Sequence, residues 1–184
     1  MDQKGNRRIA QTRRLLQEGL LRLLEHEKLE QIRVTALCKE AGINRATFYN
    51  HYASPVELLR EMEQQLVDEL AQITEIPTSI EDIAEQMERT CIKLKENARL
   101  VEVLVHYHAD RDLEETVASL AAHYSRNRLD MNRTHLDDDT THLVSTFLFA
   151  GSYAVIQEWL LRDIDKTPKE IAELVLSIVS RDYL

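Results

Sequence analysis

With 184 residues the chain is long enough for one domain or two small ones, and it can bury a real core. Only four glycines and three prolines interrupt it, which suits helices, and its two isolated cysteines, Cys38 and Cys91, read as small apolar core residues rather than a disulfide framework or zinc site. The net charge of −9 argues against nucleic acid until the chain is divided: residues 1–52 hold 10 Lys+Arg and 6 Asp+Glu, net +4, and residues 53–184 hold 13 and 26, net −13.

Screening confines exposed charges to about 10 Å, so the basic part acts on its own surroundings. Arg7, Arg8, Arg13 and Arg14 crowd the start of the first helix, which is expected over residues 6–26. Its apolar stripe is Ile9, Leu16, Leu20, Leu23 and Leu24. Gly19, unfavourable inside a helix, suggests close helix packing there. A connector at residues 28–31 leads to a short helix over residues 34–41, with Val34, Leu37, Cys38 and Ala41 inward and Gly42 as its stop. Asn44 caps a second short helix, residues 45–52. Ser54, Pro55 and Glu57 form a start signal for a longer helix carrying Leu58, Leu59, Met62, Leu66, Leu70 and Ile73.

Further helices are expected over residues 79–96, 98–108 and 110–128, with Asn97 as a break between the first two. A polar stretch of uncertain form fills residues 129–136. Asp137, Asp138 and Asp139 then favour the positive end of a helix running to residue 162, and a last helix spans 167–183. The span 143–161 is apolar nearly all round, so it must be buried on several sides, and a subunit interface is the economical way to do that in a small domain. No run approaches the roughly 18 consecutive apolar residues of a membrane span. The opening residues lack an apolar leader core, so a cytoplasmic protein without a membrane partner is expected.

Residues 34–52 have the layout of a helix-turn-helix: two helices of about two turns joined through a glycine turn. Ile43 is expected to plug the angle between them. Phe48 and Tyr52 are spaced i, i+4, with Phe48 inward, which leaves Arg45, Ala46, Thr47, Tyr49 and Asn50 to face out. Hydrogen-bond donors, a methyl and an aromatic ring on a short exposed helix suit a DNA major groove.

The run from Ala41 through Gly42, Ile43, Asn44, Arg45, Ala46, Thr47, Phe48, Tyr49, Asn50 and His51 to Tyr52, followed by Leu58 and Leu59, resembles the N-terminal signature of the TetR family of bacterial regulators. Phe149, Ala150 and Gly151, then Glu158, Trp159 and Leu160, then Pro168, Lys169, Glu170 and Ile171, are similar to the C-terminal domain of a subgroup common in Firmicutes. The resemblance implies that Thr35, Asn44, Arg45, Ala46 and Thr47 meet DNA, with Arg45 as principal base reader. Tyr49 and His51 would hold phosphates, which position without reading sequence. Many members carry Lys where this chain has Pro55, and a Ser or Thr cap where it has Arg33. The lysine clamp is therefore absent or moved, and Arg33 is expected to supply compensating charge.

The expected architecture is all-α, of about nine helices. Residues 1–53 form a three-helix helix-turn-helix DNA-binding domain, and residues 54–184 a helical effector-binding and dimerisation domain. DNA contacts are expected from Arg33, Thr35, Asn44, Arg45, Ala46, Thr47, Tyr49, Asn50 and His51. Met87, Cys91, Leu104, His108, Tyr124 and Phe147 are expected to line a ligand site. Phe149, Tyr153, Ile156, Gln157, Trp159, Leu160 and Val175 are expected at a dimer interface. Among His106, His108, His123, His135 and His142 no metal pattern is found: the first two are i, i+2 and do not face each other, and neither HExxH nor CxxC occurs. Neither cofactor nor metal is expected. An enzyme is disfavoured for want of a recognisable nucleophile–base pair. The leading reading is a homodimeric repressor of a palindromic operator, released by a small-molecule effector. The alternative is an activator or coactivator controlled by a protein partner.

Overall fold

The computed structural model describes residues 3–73, 80–107 and 137–181. Among the described residues it is all-α. The helices are α1 (Gln3–Leu24), α2 (Val34–Ala41), α3 (Arg45–Tyr49), α4 (Pro55–Ile73), α5 (Ile80–Glu96), α6 (Ala98–Tyr107), α7 (Asp138–Leu161) and α8 (Pro168–Arg181). The expected connector at residues 28–31 contains a 3-10 turn, Leu29–Gln31, that tucks Leu29 into the core. The helix expected over 110–128, and the polar stretch after it, lie outside the described residues.

Local signals in the sequence account for most helix ends. Asn97 accepts the role of break: its backbone N–H bonds back to Lys93 and Leu94, and its side-chain amide donates to the Lys93 carbonyl. Asp137 caps α7 by accepting from the backbone N–H and hydroxyl of Thr140. At α8, Thr167 and Glu170 form a reciprocal capping box: Thr167 Oγ1 accepts from the Glu170 N–H, and Glu170 Oε2 accepts from the Thr167 N–H at 2.8 Å.

The chain divides into two compact units, residues 1–65 and 66–184, and the division falls within α4. A boundary at 53/54 misses the first turns of α4 because Leu58, Leu59 and Met62 are buried with Leu16, Leu20, Leu37, Phe48 and Tyr52 in the core of the first unit. Each such leucine removed from water contributes about 1.5–3 kcal/mol, so those turns fold with α1, α2 and α3. Ile9, expected in the α1 stripe, is 44% exposed, since it lies on the α1 turns that precede the buried Leu16 and Leu20.

In the second unit α5 packs along α8, α7 along α8, and α6 against α5 and α7. Its core holds Cys91, Leu94, Leu100, Leu104, Trp159, Ile171, Ala172 and Val175. Trp159 is fixed from two sides: its indole N–H donates to the Lys166 carbonyl at 3.0 Å, and Lys95 Nζ sits 5.2 Å from the ring centroid. Lys95 also reaches Asp163 at 3.1 Å, and Asp163 takes a left-handed backbone (φ 44°) to turn the chain out of α7. By length and composition alone residues 142–161 of α7 are apolar enough to cross a membrane, a property that a count of uninterrupted apolar residues does not register. Polar positions at Ser145, Thr146, Ser152 and Gln157 interrupt the run, and Trp159 and Leu160 anchor its end in the unit's own core.

Candidate nucleic-acid interface

The turn between α2 and α3 follows from three residues. Gly42 adopts φ 67°, ψ 27°, a conformation that costs a side-chain-bearing residue about 1 kcal/mol or more. Its N–H bonds to the Lys39 carbonyl and the Ile43 N–H to the Cys38 carbonyl, which satisfies carbonyls at the end of α2. Asn44 Oδ1 then accepts from the Ala46 N–H at 2.8 Å and starts α3. Ile43, expected as a plug, is half-buried. Behind the turn, α1 comes close to α2 at Gly19: a Cβ there would meet the Ala41 Cβ at 3.2 Å and the Ala41 backbone N at 3.3 Å.

Five residues make up α3, fewer than the eight expected. The chain continues past Tyr49 through turn bonds, with the His51 and Tyr52 N–H groups both reaching the Phe48 carbonyl. Phe48 is completely buried and meets Tyr49 edge-on at 5.6 Å between centroids. The opposite face is open. Arg45, Ala46 and Asn50 are exposed, Tyr49 is 52% exposed, and Thr47 and His51 are half-buried. Asn44 is exposed with its carbonyl oxygen committed to the cap, so its amide N–H groups are what it has to offer outward.

The start of α2 is open as well. Arg33 makes no side-chain cap bond, and both Arg33 and Thr35 are exposed. The Arg33 side chain does not close the start of this helix, where the positive end of its dipole lies. The start of α4 is closed: Ser54 Oγ accepts from the Glu57 N–H, the Glu57 carboxylate accepts from the Ala53 N–H, and Pro55 is buried. Pro55 therefore neither donates nor faces outward.

The basic patch is smaller than its arginines suggest. Arg13 pairs with Glu61, Arg14 with Glu18, and Arg22 with Glu40 at 2.6 Å. Arg7, Arg8, Arg33 and Arg45 are exposed and have no salt bridge among the described residues. Cys38, close behind the turn, is buried. Burial pushes its thiol up, and the Arg45 guanidinium only partly opposes this.

In the second unit Cys91 and Leu104, expected at a ligand site, are fully buried and Met87 is half-buried, whereas Phe147 is 67% exposed on α7. His108 and Tyr124 lie outside the described residues. Three residues expected at a dimer interface are placed otherwise: Trp159, Leu160 and Val175 are buried within the chain's own core. Because α7 is apolar on nearly every side, its pattern has no preferred face, and its most apolar end cannot be told apart from an outward surface by sequence. Tyr153, Ile156 and Gln157 are half-buried, and nothing is described of the Phe149 side chain. Among the described residues of this unit the exposed large apolar residues are Leu143, Phe147 and Leu161 on α7, Leu174 and Ile178 on α8, Ile92 on α5 and Ile164 after α7. The first unit also holds a polar link that the sequence reading lacks, Tyr52 to Glu61. Its one signal is a hydroxyl on a residue spaced for the core.

A glycine-turned pair of short helices with a buried inner face and a polar outer one, in a chain that is all-α among the described residues, has the layout of a helix-turn-helix. Residues 81–181 match the TetR-type family profile described as transcriptional regulator C-terminal region. The chain belongs to the TetR family of transcriptional regulators. It is 38% identical over 66 residues to the uncharacterized HTH-type transcriptional regulator YxbF of Bacillus subtilis (strain 168). That segment is 35% of this chain and covers only 17% of YxbF. The fold is shared with solved structures of transcriptional regulators, among them the following. A TetR transcriptional regulator from Streptococcus agalactiae 2603V has a TM-score of 0.64 at 21% identity, over 96% of this chain and 98% of that one. A TetR/AcrR-type regulator from Aquifex aeolicus VF5 has a TM-score of 0.67 at 14% identity, over 91% and 99%. The dihydroxyacetone kinase operon activator DhaS has a TM-score of 0.66 at 16% identity, over 94% and 96%.

Proposed function

We propose that this regulator is a cytoplasmic homodimeric repressor without enzymatic activity, which reads a palindromic operator through α3 and leaves it when a small-molecule effector binds the second unit. The outer face of α3 is the observation that carries the reading: Arg45, Ala46, Tyr49 and Asn50 stand out while Phe48 holds the helix from behind. Arg45 reads a guanine, Thr47 and Ala46 meet base edges or methyls, and Asn44 and Asn50 offer polar contacts. Tyr49, His51, Arg33 and Thr35 hold phosphates. The exposed apolar residues of α7 and α8 support a second copy as their cover. Leu143 and Phe147, and Leu174 and Ile178, are spaced i, i+4 on one side of their helix, and contiguous apolar surface marks interaction sites more often than scattered residues do. Two copies related by a two-fold axis present two reading heads to two half-sites. An effector that prefers the spacing of heads unfit for the operator lowers DNA affinity by its differential binding.

The test is selection of genomic fragments by the purified protein, followed by mobility shift with the enriched duplex. Wild type shifts it, and Arg45→Ala with Tyr49→Ala does not; a normal shift by that double variant overturns the reading. A second reading is favoured by the description of DhaS as an operon activator on the same fold. In that reading the chain activates transcription under control of a protein partner. A stoichiometric protein ligand that changes operator affinity, with no response to small molecules, selects it.

A further inference from the structure

Glu61 gathers three donors at one oxygen. Its Oε1 accepts from the Tyr52 hydroxyl at 3.0 Å and from Gln65 Nε2 at 3.1 Å, and Arg13 Nη1 lies 3.4 Å away. Gln65 Oε1 accepts in turn from Gln17 Nε2 at 3.2 Å. Arg13 and Gln17 belong to α1, Tyr52 closes the turn after α3, and Glu61 and Gln65 belong to α4. One carboxylate therefore joins three elements of the first unit.

A helix of five residues has no stability of its own, and its direction is set by its attachments. Phe48 supplies apolar contact, which is non-directional. Tyr52 supplies direction: its ring is buried 5.8 Å from Phe48, and its hydroxyl is fixed on Glu61. Burial, then the Glu61 hydrogen bond, push that hydroxyl well above the usual tyrosine range, so it stays a donor.

We propose that Glu61, acting through Tyr52, is a positioning residue for DNA binding: it holds α3 at the angle to α1 and α4 at which the operator is read, and contacts no nucleotide. The inference rests on the reading of α3 as the recognition helix. The competing role is a solvated carboxylate near DNA that merely repels phosphates, and it predicts the opposite sign.

The experiment uses the full chain and, as probe, a fluorescent duplex taken from the genomic fragment most enriched by wild type. Anisotropy gives affinity, stoichiometric titration gives the active fraction, and thermal melting gives stability. Tyr52→Phe keeps the ring and the fold, so the comparison survives even if a Glu61 variant folds poorly. Tyr52→Phe and Glu61→Ala each weaken binding about tenfold at full active fraction, the size expected for one lost hydrogen bond to a charged group. The double variant binds no more weakly than the worse single one, because both remove the same link. Glu61→Gln, whose amide oxygen still accepts, restores affinity to within about threefold of wild type. The dependence of affinity on salt keeps its slope, since no phosphate contact is lost. Wild-type affinity in both single variants, tighter binding by Glu61→Ala, additive losses in the double variant, or losses explained by active fraction each overturn the proposal. If wild type enriches no fragment, or Arg45→Ala binds normally, the reading of α3 fails and the proposal falls with it; if Arg45→Ala fails to bind while Tyr52→Phe binds as wild type, the positioning role alone is wrong.

Discussion

Gly19 and Ala41 meet at the crossing of α1 and α2, where a single added methyl would lie 3.2 Å from the Ala41 Cβ. The crossing supports the turn at Gly42, one residue beyond Ala41. Gly19→Val places two further carbons against that contact and a β-branched residue inside a helix. It is expected to cost about 2 kcal/mol, as overpacking does. Denaturant unfolding of the full chain checks it, and an unchanged midpoint would show that α1 can shift without loss.

Two left-handed residues predict different outcomes, a loss at one and none at the other. A Cβ at Gly42 would point into open space, so Gly42→Ala meets no neighbour and its cost is backbone conformation alone, about 1 kcal/mol. Asp163 holds the same kind of backbone with a side chain. Asp163→Gly relieves that conformation and gives up an exposed bridge to Lys95 worth about 0–1 kcal/mol, so stability stays level or rises slightly. Melting temperatures of the two variants, taken side by side, test the pair.

Phosphate and base contacts separate by salt. Arg33→Ala removes an exposed cation at the start of α2, so it weakens binding on every duplex and lowers the salt slope by about 1. On the proposed reading of α3, Arg45→Ala is expected to cost about 1–3 kcal/mol and to relax preference at one base pair of each half-site. Binding isotherms at several salt concentrations, with operator and scrambled duplexes, tell them apart.

Both thiols are expected to be silent in the native state. Cys91 is fully buried with its thiol pushed up to about 12, chiefly by burial and then by Glu88, and Cys38 is buried and also raised. Ellman's reagent at neutral pH reacts with neither until the chain is unfolded. Rapid reaction of either thiol in folded protein contradicts this.

Acid should loosen α8 from its start. The backbone N–H of Thr167, then its hydroxyl, then Lys166 hold the Glu170 carboxyl below its ordinary range. A lowered carboxylate stabilises the fold above its unfolded value of about 4.3, and the contribution is lost as pH falls through the lower native value. Asp137, held down by the Thr140 N–H and hydroxyl, acts in the same direction at α7. Glu170→Gln therefore flattens the acid limb of stability and changes little in slope near neutrality. Urea midpoints from about pH 3 to about pH 7 check it.

Where the sequence speaks through local chemistry, it is legible. Gly42, Asn44, the Ser54–Glu57 pair, Asn97, Asp137 and the Thr167–Glu170 pair each act within a few residues, and each marks a helix end that the fold contains. Where the outcome depends on partners distant in sequence, it is not. Trp159 and Leu160 are apolar residues of α7, a helix with too little amphipathic contrast to point the way, and Val175 sits on the face of α8 that packs along α5 rather than on an outward one. Two of the neutralised arginines are a similar case: Arg13 and Glu61 are 48 residues apart in sequence and meet only once α1 and α4 have packed, and Arg22 meets Glu40 across α1 and α2. The end of α3 at Tyr49 is hidden for the opposite reason, since turn bonds through Tyr52 imitate a helix without continuing one.

On α3 the residue that folds and the residues that face outward are different side chains on opposite sides: Phe48 is wholly buried, while Arg45, Ala46 and Asn50 are exposed. Exchanging the outer set leaves the core untouched, so with α3 as the proposed reading helix new addresses on a chromosome are reachable by a few surface substitutions. A duplicated gene with this layout can drift to other promoters without passing through an unfolded ancestor, and an engineer can build mutually blind regulators from the same scaffold.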